Sequence, residues 1–438
     1  MFSPLALVSY PYILGRMWLL DKMLRKLVVK GELNVIDHDG KTFRYGVPDA
    51  THGPITVRLT DKRASFHIAK DPRVGAGEAY MNGWLEVQAP HDVRDLLLFA
   101  RYNAPWERPG ALRPKGPLRK ALAAVAGRLD QVNWKTRSRR NAEHTYNLTR
   151  RLYELFLDTD RQYTCANYRD TGDSLEQAQL DKKAHIAAKL NLKPGMKVLD
   201  IGCGWGGLAM YLHRHYDVDV LGVALAPDQI AFCNERAAAE GVADRVKFEL
   251  RDYRDVTGEF DRITSVGLIE HLGTPHYPGF FAHTHRLLKP DGIMFSHCCG
   301  RMGGPGLTDK WTRKYIFPGG YIPALSELVR EAEKNRLIVS DVEAVRYHYA
   351  HTLEEWYKRT NAAREEIIGL YDERFFRMWQ FYLAGAEAAF RYGGLVNWQL
   401  QYLKRRDAVP MTWDYMYEEE ARLRASDTAP EWHLAAAE

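Results

Sequence analysis

The stretch Val198–Gly207, VLDIGCGWGG, constrains this chain more than any other. Val198-Leu199-Asp200-Ile201 is a short apolar run suited to a buried parallel strand. Gly202, Gly204, Gly206 and Gly207 then let backbone approach a ligand closely before a helix begins. The product is a nucleotide-sized cradle. The spacing Asp-x-Gly-x-Gly-x-Gly lacks the second gap of the dinucleotide fingerprint and carries its acid before the glycines, which favours S-adenosylmethionine over NAD. A plain tight turn accounts for such a loop equally well, so residues further along the chain decide the matter.

Beyond the loop, strand and helix signals alternate. Strands are expected at 198–201, 219–223, 246–249, 261–266 and 292–297, with helices from about Leu208, from about Asp228 and around 278–288. Strands separated by helix-length segments imply right-handed crossovers and a doubly wound parallel sheet, an α/β fold. Ligands of such sheets bind beyond the carboxyl ends of the strands. Glu270 and His271, after DRITSVG, and His297, ending GIMFS, fall on that rim. Cys165 in QYTCANYRD and Tyr349 in RYHYAHTL could cover it from outside. Taken singly, each also reads as a buried thiol, a core histidine or a packed ring.

At 438 residues the chain is long for one hydrophobic core, so two domains are expected. GELNVID, KTFRYGV and ITVRLTD read as a small antiparallel sheet with an Asp39-Gly40 hairpin turn. With DPRVGAGEAYMNGWLEV they make a smaller α+β domain over 1–100. Residues 101–140 form a linker punctuated by Pro105, Pro109, Pro114 and Pro117, with eleven Lys or Arg against Glu107 and Asp130. A strip so basic attracts an anionic surface, phospholipid or nucleic acid, and is equally what a solvated linker looks like. The catalytic domain then spans 141–438.

Ile13–Val29 mixes Leu14, Met17, Trp18, Leu20, Leu24 and Leu27 with Arg16, Lys22, Arg25 and Lys26, as an interfacial helix or an intramolecular packing helix would. The apolar run from Pro4 to Leu14 is too short to span a bilayer and has no basic residue before it, so neither a transmembrane helix nor a signal peptide is expected. Five cysteines, an odd number without metal-ligand spacing, fit a reducing cytoplasm.

Several separated motifs complete the reading. YTCANYRD, VLDIGCGWGG, SVGLIEHLG, HRLLKPDGIMFSH, KYIFPGGYIP, HYAHTLEEW and FRYGGLVNWQLQY run in order from Tyr163 to Tyr402, with GEAYMNGWLEV in the amino-terminal domain. The chain resembles the cyclopropane fatty acid synthases, S-adenosylmethionine-dependent enzymes that act on double bonds in acyl chains. The resemblance implies a Rossmann-like methyltransferase fold with helical additions. It implies a bicarbonate ion as general base, held by Cys165, Glu270, His297, Cys299 and Tyr349. It implies cofactor contacts from Tyr163, Asp200, Gly202, Gly204, Gln229, Asp252 and Tyr253, and no metal.

The implied substrates are unsaturated phospholipid acyl chains, met by a peripheral enzyme at the inner face of the cytoplasmic membrane. A homodimer is compatible with this, and no nucleic acid is involved. Loss of a proton from the new methyl group closes a cyclopropane, whereas loss of a different proton gives a methyl-branched or methylene chain. Two departures bear on that choice: Ala224 and Ala226 replace the family's Thr and Ser, and His297-Cys298-Cys299-Gly300 replaces His-Thr-Ile-Gly. Trp356, Phe375, Phe376, Trp379, Phe381 and Tyr382 would line an acyl tunnel, with ordinary core packing as the competing reading.

Overall fold

The computed structural model describes residues 17–50, 52–108 and 148–428, and the amino-terminal alternation of the sequence becomes strands Gly31–Ile36 (β1), Thr42–Val47 (β2), Ile55–Leu59 (β3) and Leu85–Val87 (β4). They form one sheet in the order β2-β1-β3-β4. The Asp39-Gly40 turn forms as expected: Gly40 takes φ 82°, and the Asp37 carboxylate accepts the N–H groups of Asp39 and Lys41. The expectation of an antiparallel sheet is corrected at β3, which runs parallel to β1. β2 occupies one edge of β1, and β3, which runs opposite to β2, takes the other edge instead of pairing on β2, so it lies parallel to β1.

The helix Trp18–Leu27 buries Leu20 and Leu24 in the same core as Leu33, Val35 and Tyr45, while Trp18 stays half exposed. Its inner face is therefore a packing face. Residues 1–16 and 109–147 lie outside the described residues, and with them most of the basic strip, including Arg137, Arg139 and Arg140.

The chain separates into two compact units, and the first contains Arg364–Gly393 as well as the amino-terminal residues. The division read from the sequence, with everything after 141 in one catalytic domain, differs here. The reason is the helix Glu373–Arg391, whose apolar face packs against helices Pro72–Met81 and Val93–Tyr102 of the first unit. Fully buried Glu387 receives the Arg94 guanidinium at 2.8 Å, and Tyr80 donates to Gln380 at 2.9 Å. A helix with a buried carboxylate stays where its partner is, since an unpaired charge there would cost several kcal/mol.

The second unit holds strands Lys197–Ile201 (β5), Asp219–Ala224 (β6), Val246–Leu250 (β7), Phe260–Val266 (β8), Leu288–Arg301 (β9), Ile338–Val345 (β10) and Leu395–Leu403 (β11), in the order β10-β11-β9-β8-β5-β6-β7. β5 to β9 are mutually parallel, as the alternation predicts. β11 and β10 extend the sheet antiparallel beyond β9. Neither strand is among those expected from the sequence; in β11 the period-two polar residues Asn397, Gln399 and Gln401 are buried, not solvated. Among the described residues no helix is long and apolar enough to cross a membrane.

Candidate active site

The site begins where β5 ends. Asp200, 2% exposed, stands opposite Thr264 of β8 and accepts its hydroxyl at 2.7 Å. Burial pushes the Asp200 carboxyl up to about 6. Gly202, Gly204 and Gly206 come next with φ of 86°, 53° and 80°, a run of left-handed backbone that residues with a Cβ adopt only at a cost. At Gly206 a Cβ would stand 2.9 Å from the Phe248 ring, whereas at Gly204 nothing lies within 4 Å. Gly206 is thus a packing glycine and Gly204 faces open space.

That space is a cavity beyond the carboxyl ends of β5, β6 and β8, with about 1450 Å³ of empty volume, part of it open to solvent. Every residue the sequence assigned to the cofactor lines it: Tyr163, Asp200, Gly202, Gly204, Gln229, Asp252 and Tyr253. Ala224 and Ala226, the positions that lack the expected hydroxyls, line it as well. Tyr163 is set by aromatic packing, with ring centroids 5.1 Å from Trp356 and 5.6 Å from Tyr153. Asp252 is held by Arg254, whose Nε and Nη2 donate at 2.8 and 2.6 Å.

None of the five residues assigned to the base lines this cavity; Cys165, Glu270, His297 and Cys299 form a cluster away from its lining. Glu270 is the second residue of the short helix Ile269–Leu272, between the cavity-lining Leu268 and His271. Its Oε1 accepts the backbone N–H of Cys299, and its buried Oε2 has no partner. Burial raises its carboxyl to about 7 against the stabilising Cys299 N–H. His297 lies on β9 opposite Gln399 of β11, and Cys299 lies opposite Asn397. The Asn397 amide reaches His297 Nε2 at 3.0 Å and the Gln399 amide reaches Nδ1 at 3.4 Å. Burial and the nearby Lys182 cation lower His297 to about 3, so it is a neutral imidazole.

Cys165, 1% exposed, has the side chains of Thr352 and Asn397 against its thiol, and burial pushes that thiol up. Cys165, Glu270, His297 and Cys299 are thereby brought together. Tyr349, on the helix His348–Ala362, meets the ring of Trp356 edge-on at 5.7 Å, and Trp356 in turn packs on the cofactor-side Tyr163. His271, which the sequence placed on the rim, does line the cavity, and burial lowers it to about 4.

The cavity lining includes none of the aromatic residues expected along an acyl tunnel. Trp356 packs among Tyr163, Tyr349 and Phe156, and Phe375, Phe376, Trp379, Phe381 and Tyr382 belong to the first unit.

Four contributors escaped the sequence reading: Asn397, Gln399, Lys182 and Thr164. For the first two a signal existed, since Asn397, Gln399 and Gln401 recur at period two and so share one face of a strand. For Lys182 the signal is Ala178 and Ile186, four residues either side, which put it on a buried helical face.

A doubly wound sheet whose first strand runs into a glycine loop open to a cavity, with an acidic residue beyond the third strand, defines an S-adenosylmethionine-dependent methyltransferase. Within that class the chain belongs to the mycolic acid cyclopropane synthetase family, whose profile matches residues 133–400. It is 38% identical over 357 residues to the cyclopropane-fatty-acyl-phospholipid synthase of Escherichia coli K12, covering 82% of this chain and 90% of the relative. It is 30% identical to the tuberculostearic acid methyltransferase UfaA1 of Mycobacterium tuberculosis, over 86% of this chain and 89% of that one. The solved cyclopropane synthase MmaA2 of M. tuberculosis superimposes with a TM-score of 0.58 at 29% identity, covering 60% of this chain and 98% of that structure.

Proposed function

We propose that the protein transfers a methyl carbon from S-adenosylmethionine to the cis double bond of unsaturated phospholipid acyl chains and closes a cyclopropane with bicarbonate as base. The observation that carries this reading is Glu270: a carboxyl raised to about 7, with one oxygen aimed by Cys299 N–H and the other buried without a partner, one residue from the cavity wall.

The residues fit the cofactor, because Gly204 leaves space where any side chain would intrude and Gln229, Asp252 and Tyr253 supply polar groups around it. When bound, S-adenosylmethionine supplies an electrophilic methyl group. Gly202 and Gly204 admit it against bare backbone, and Tyr163, packed on Trp356, closes one side against water, which would otherwise capture a carbocation.

Bicarbonate fits too, since the buried Glu270 Oε2 lacks a partner and could exchange an O–H hydrogen bond with the ion in either protonation state, and neutral His297 adds no competing charge. When bound, it supplies the base that takes a proton from the new methyl group. The backbone N–H of Cys299 aims the Glu270 carboxyl. The side-chain amides of Asn397 and Gln399 stand at the two nitrogens of the His297 ring, and the neutral ring accepts an N–H at one and donates to an amide oxygen at the other.

Glu270 also supports a second reading, in which it takes the proton itself, because a carboxyl near 7 is tuned for general-base work at neutral pH. Which proton leaves decides between a cyclopropane and the methyl-branched or methylene products. The substrate places the protein at a membrane surface, docked by the basic strip Arg101–Arg140, most of which lies outside the described residues.

The test is expression in a host that makes only monounsaturated phospholipids, followed by lipid extraction. Acyl chains heavier by one CH2 with cyclopropane proton signals are expected. Chains heavier by CH2 that carry methyl-branch or methylene signals would replace the product, and unchanged lipids would refute the reading.

A further inference from the structure

Three lysines of the helix Leu175–Leu190 are buried, and they differ in what they meet. Lys183 Nζ lies 2.6 Å from the Asp160 carboxylate, and Lys189 Nζ lies 2.6 Å from Asp341 and 2.7 Å from Glu343. Lys182, 1% exposed, forms no ion pair among the described residues. It donates to two neutral oxygens, Gln162 Oε1 at 2.6 Å and Thr164 Oγ1 at 2.8 Å.

An ammonium has three N–H donors, so one remains. A buried cation without an anion is costly, and here burial lowers Lys182 to about 8. Asp158 and Asp160 favour the charge from a distance but neither pairs with Lys182: Asp158 accepts the backbone N–H groups of Asp160 and Gln162, Asp160 holds the Lys183 ammonium, and Asp200 Oδ1 accepts Thr264. Lys182, Gln162, Thr164 and Asp200 all line the cavity. Lys182 is also close enough to Cys165 and His297 to act on both electrostatically.

We propose that Lys182 is the countercharge of a carboxylate-type oxyanion bound at the inner wall of the cavity. Lys182 Nζ supplies the charge, and Gln162 and Thr164 hold it on a fixed line. Two anions share that chemistry: the α-carboxylate of the cofactor and a bicarbonate ion. Only the second of these rests on the proposed function.

The full-length Lys182→Met variant separates them. Binding of S-adenosylhomocysteine, which carries the carboxylate, and of 5′-methylthioadenosine, which lacks it, is measured by calorimetry, beside the KM for bicarbonate. A loss of about 10- to 100-fold for S-adenosylhomocysteine with 5′-methylthioadenosine unchanged, restored in Lys182→Arg, assigns Lys182 to the cofactor carboxylate. A comparable rise in the KM for bicarbonate with both nucleosides unchanged assigns it to bicarbonate. Equal losses for both nucleosides with a lowered melting temperature would mean that Lys182 only braces the fold, and no change in any of the three would equally overturn the proposal. Lys182→Gln, which keeps a hydrogen-bonding amide without the charge, gives the same readings if the Met variant does not fold. Wild-type turnover that is independent of bicarbonate would remove the proposed base and leave the cofactor arm standing.

Discussion

The glycine-lined wall of the cavity and the pocket around Glu270 face the same chemistry with opposite materials. The wall is contiguous in sequence and made largely of backbone, with Gly204 open to the space in front of it. The pocket is assembled from side chains of four distant segments, around Cys165, Glu270, His297 and Asn397, and burial drives Glu270 and His297 toward their neutral forms. A backbone wall binds by shape and tolerates no added atom. A buried side-chain pocket acts through protonation, and tolerates changes of shape better than changes of charge.

That contrast breaks first at Glu270. Glu270→Gln keeps the shape and removes the titratable group, so turnover is expected to fall roughly 10²- to 10⁴-fold with cofactor affinity within twofold of wild type. Calorimetry and single-turnover assays check both halves, and a variant with wild-type turnover would end the assignment of base chemistry to the pocket. On the other wall the effect is reversed. Gly204→Val adds a Cβ at φ 53° and pushes methyls into the cavity, so cofactor affinity should drop by roughly tenfold or more, and the strained backbone should lower the melting temperature by a few degrees at every pH. Unchanged affinity would show that the cofactor does not lie against Gly204.

A smaller effect tests how the pocket is aimed. Gln399→Leu removes the amide beside His297 Nδ1 and leaves a buried ring nitrogen unpaired, which should lower turnover roughly tenfold with no change in cofactor affinity. Gln399→Glu would restore a partner but add a charge, and is expected to raise the His297 pKa, visible as a downfield-shifted imidazole resonance. An equal loss of cofactor binding in Gln399→Leu would mean that β11 supports the wall as well as the pocket.

The two regions also differ in how far they could be read from the sequence. VLDIGCGWGG announces its strand, its turn and its ligand in ten consecutive residues, because a backbone cradle must be local. Glu270 and His297 could be placed on the rim by the rule for parallel sheets, and Cys165 and Tyr349 only as candidates to cover it, to which the resemblance alone gave a role. Asn397 and Gln399 depend on β11 pairing antiparallel with β9 about a hundred residues away, a register that polar residues in a buried strand conceal. Lys182 is hidden for a related reason: a lysine in a helix rich in charge reads as solvated until its partners, Gln162 and Thr164, are seen to be neutral. The same limit misplaced the helix Glu373–Arg391, since Glu387 gives no sign that its partner is Arg94.

The smallest effect isolates the electrostatics of the pocket from its chemistry. The folded chain holds the Glu270 proton up to about 7, where an ordinary glutamate releases it near 4.5. A carboxyl raised in the folded state stabilises that state fully below its unfolded pKa. The contribution is lost as pH rises through the folded value, because the unfolded chain has already given up a proton that the folded chain retains. Glutamine has no proton to lose. The melting temperature of Glu270→Gln relative to wild type should therefore climb by a few degrees between about pH 4.5 and pH 7 and level off above it. Asp200, also raised, is present in both proteins and cancels in the difference. Gly204→Val, on the opposite wall, should show no such trend against wild type. A flat difference for Glu270→Gln from pH 4.5 to 8.5 would mean that Glu270 titrates as an exposed carboxylate does, and the division of the site into a backbone wall and a charge-poor pocket would fail at its central residue.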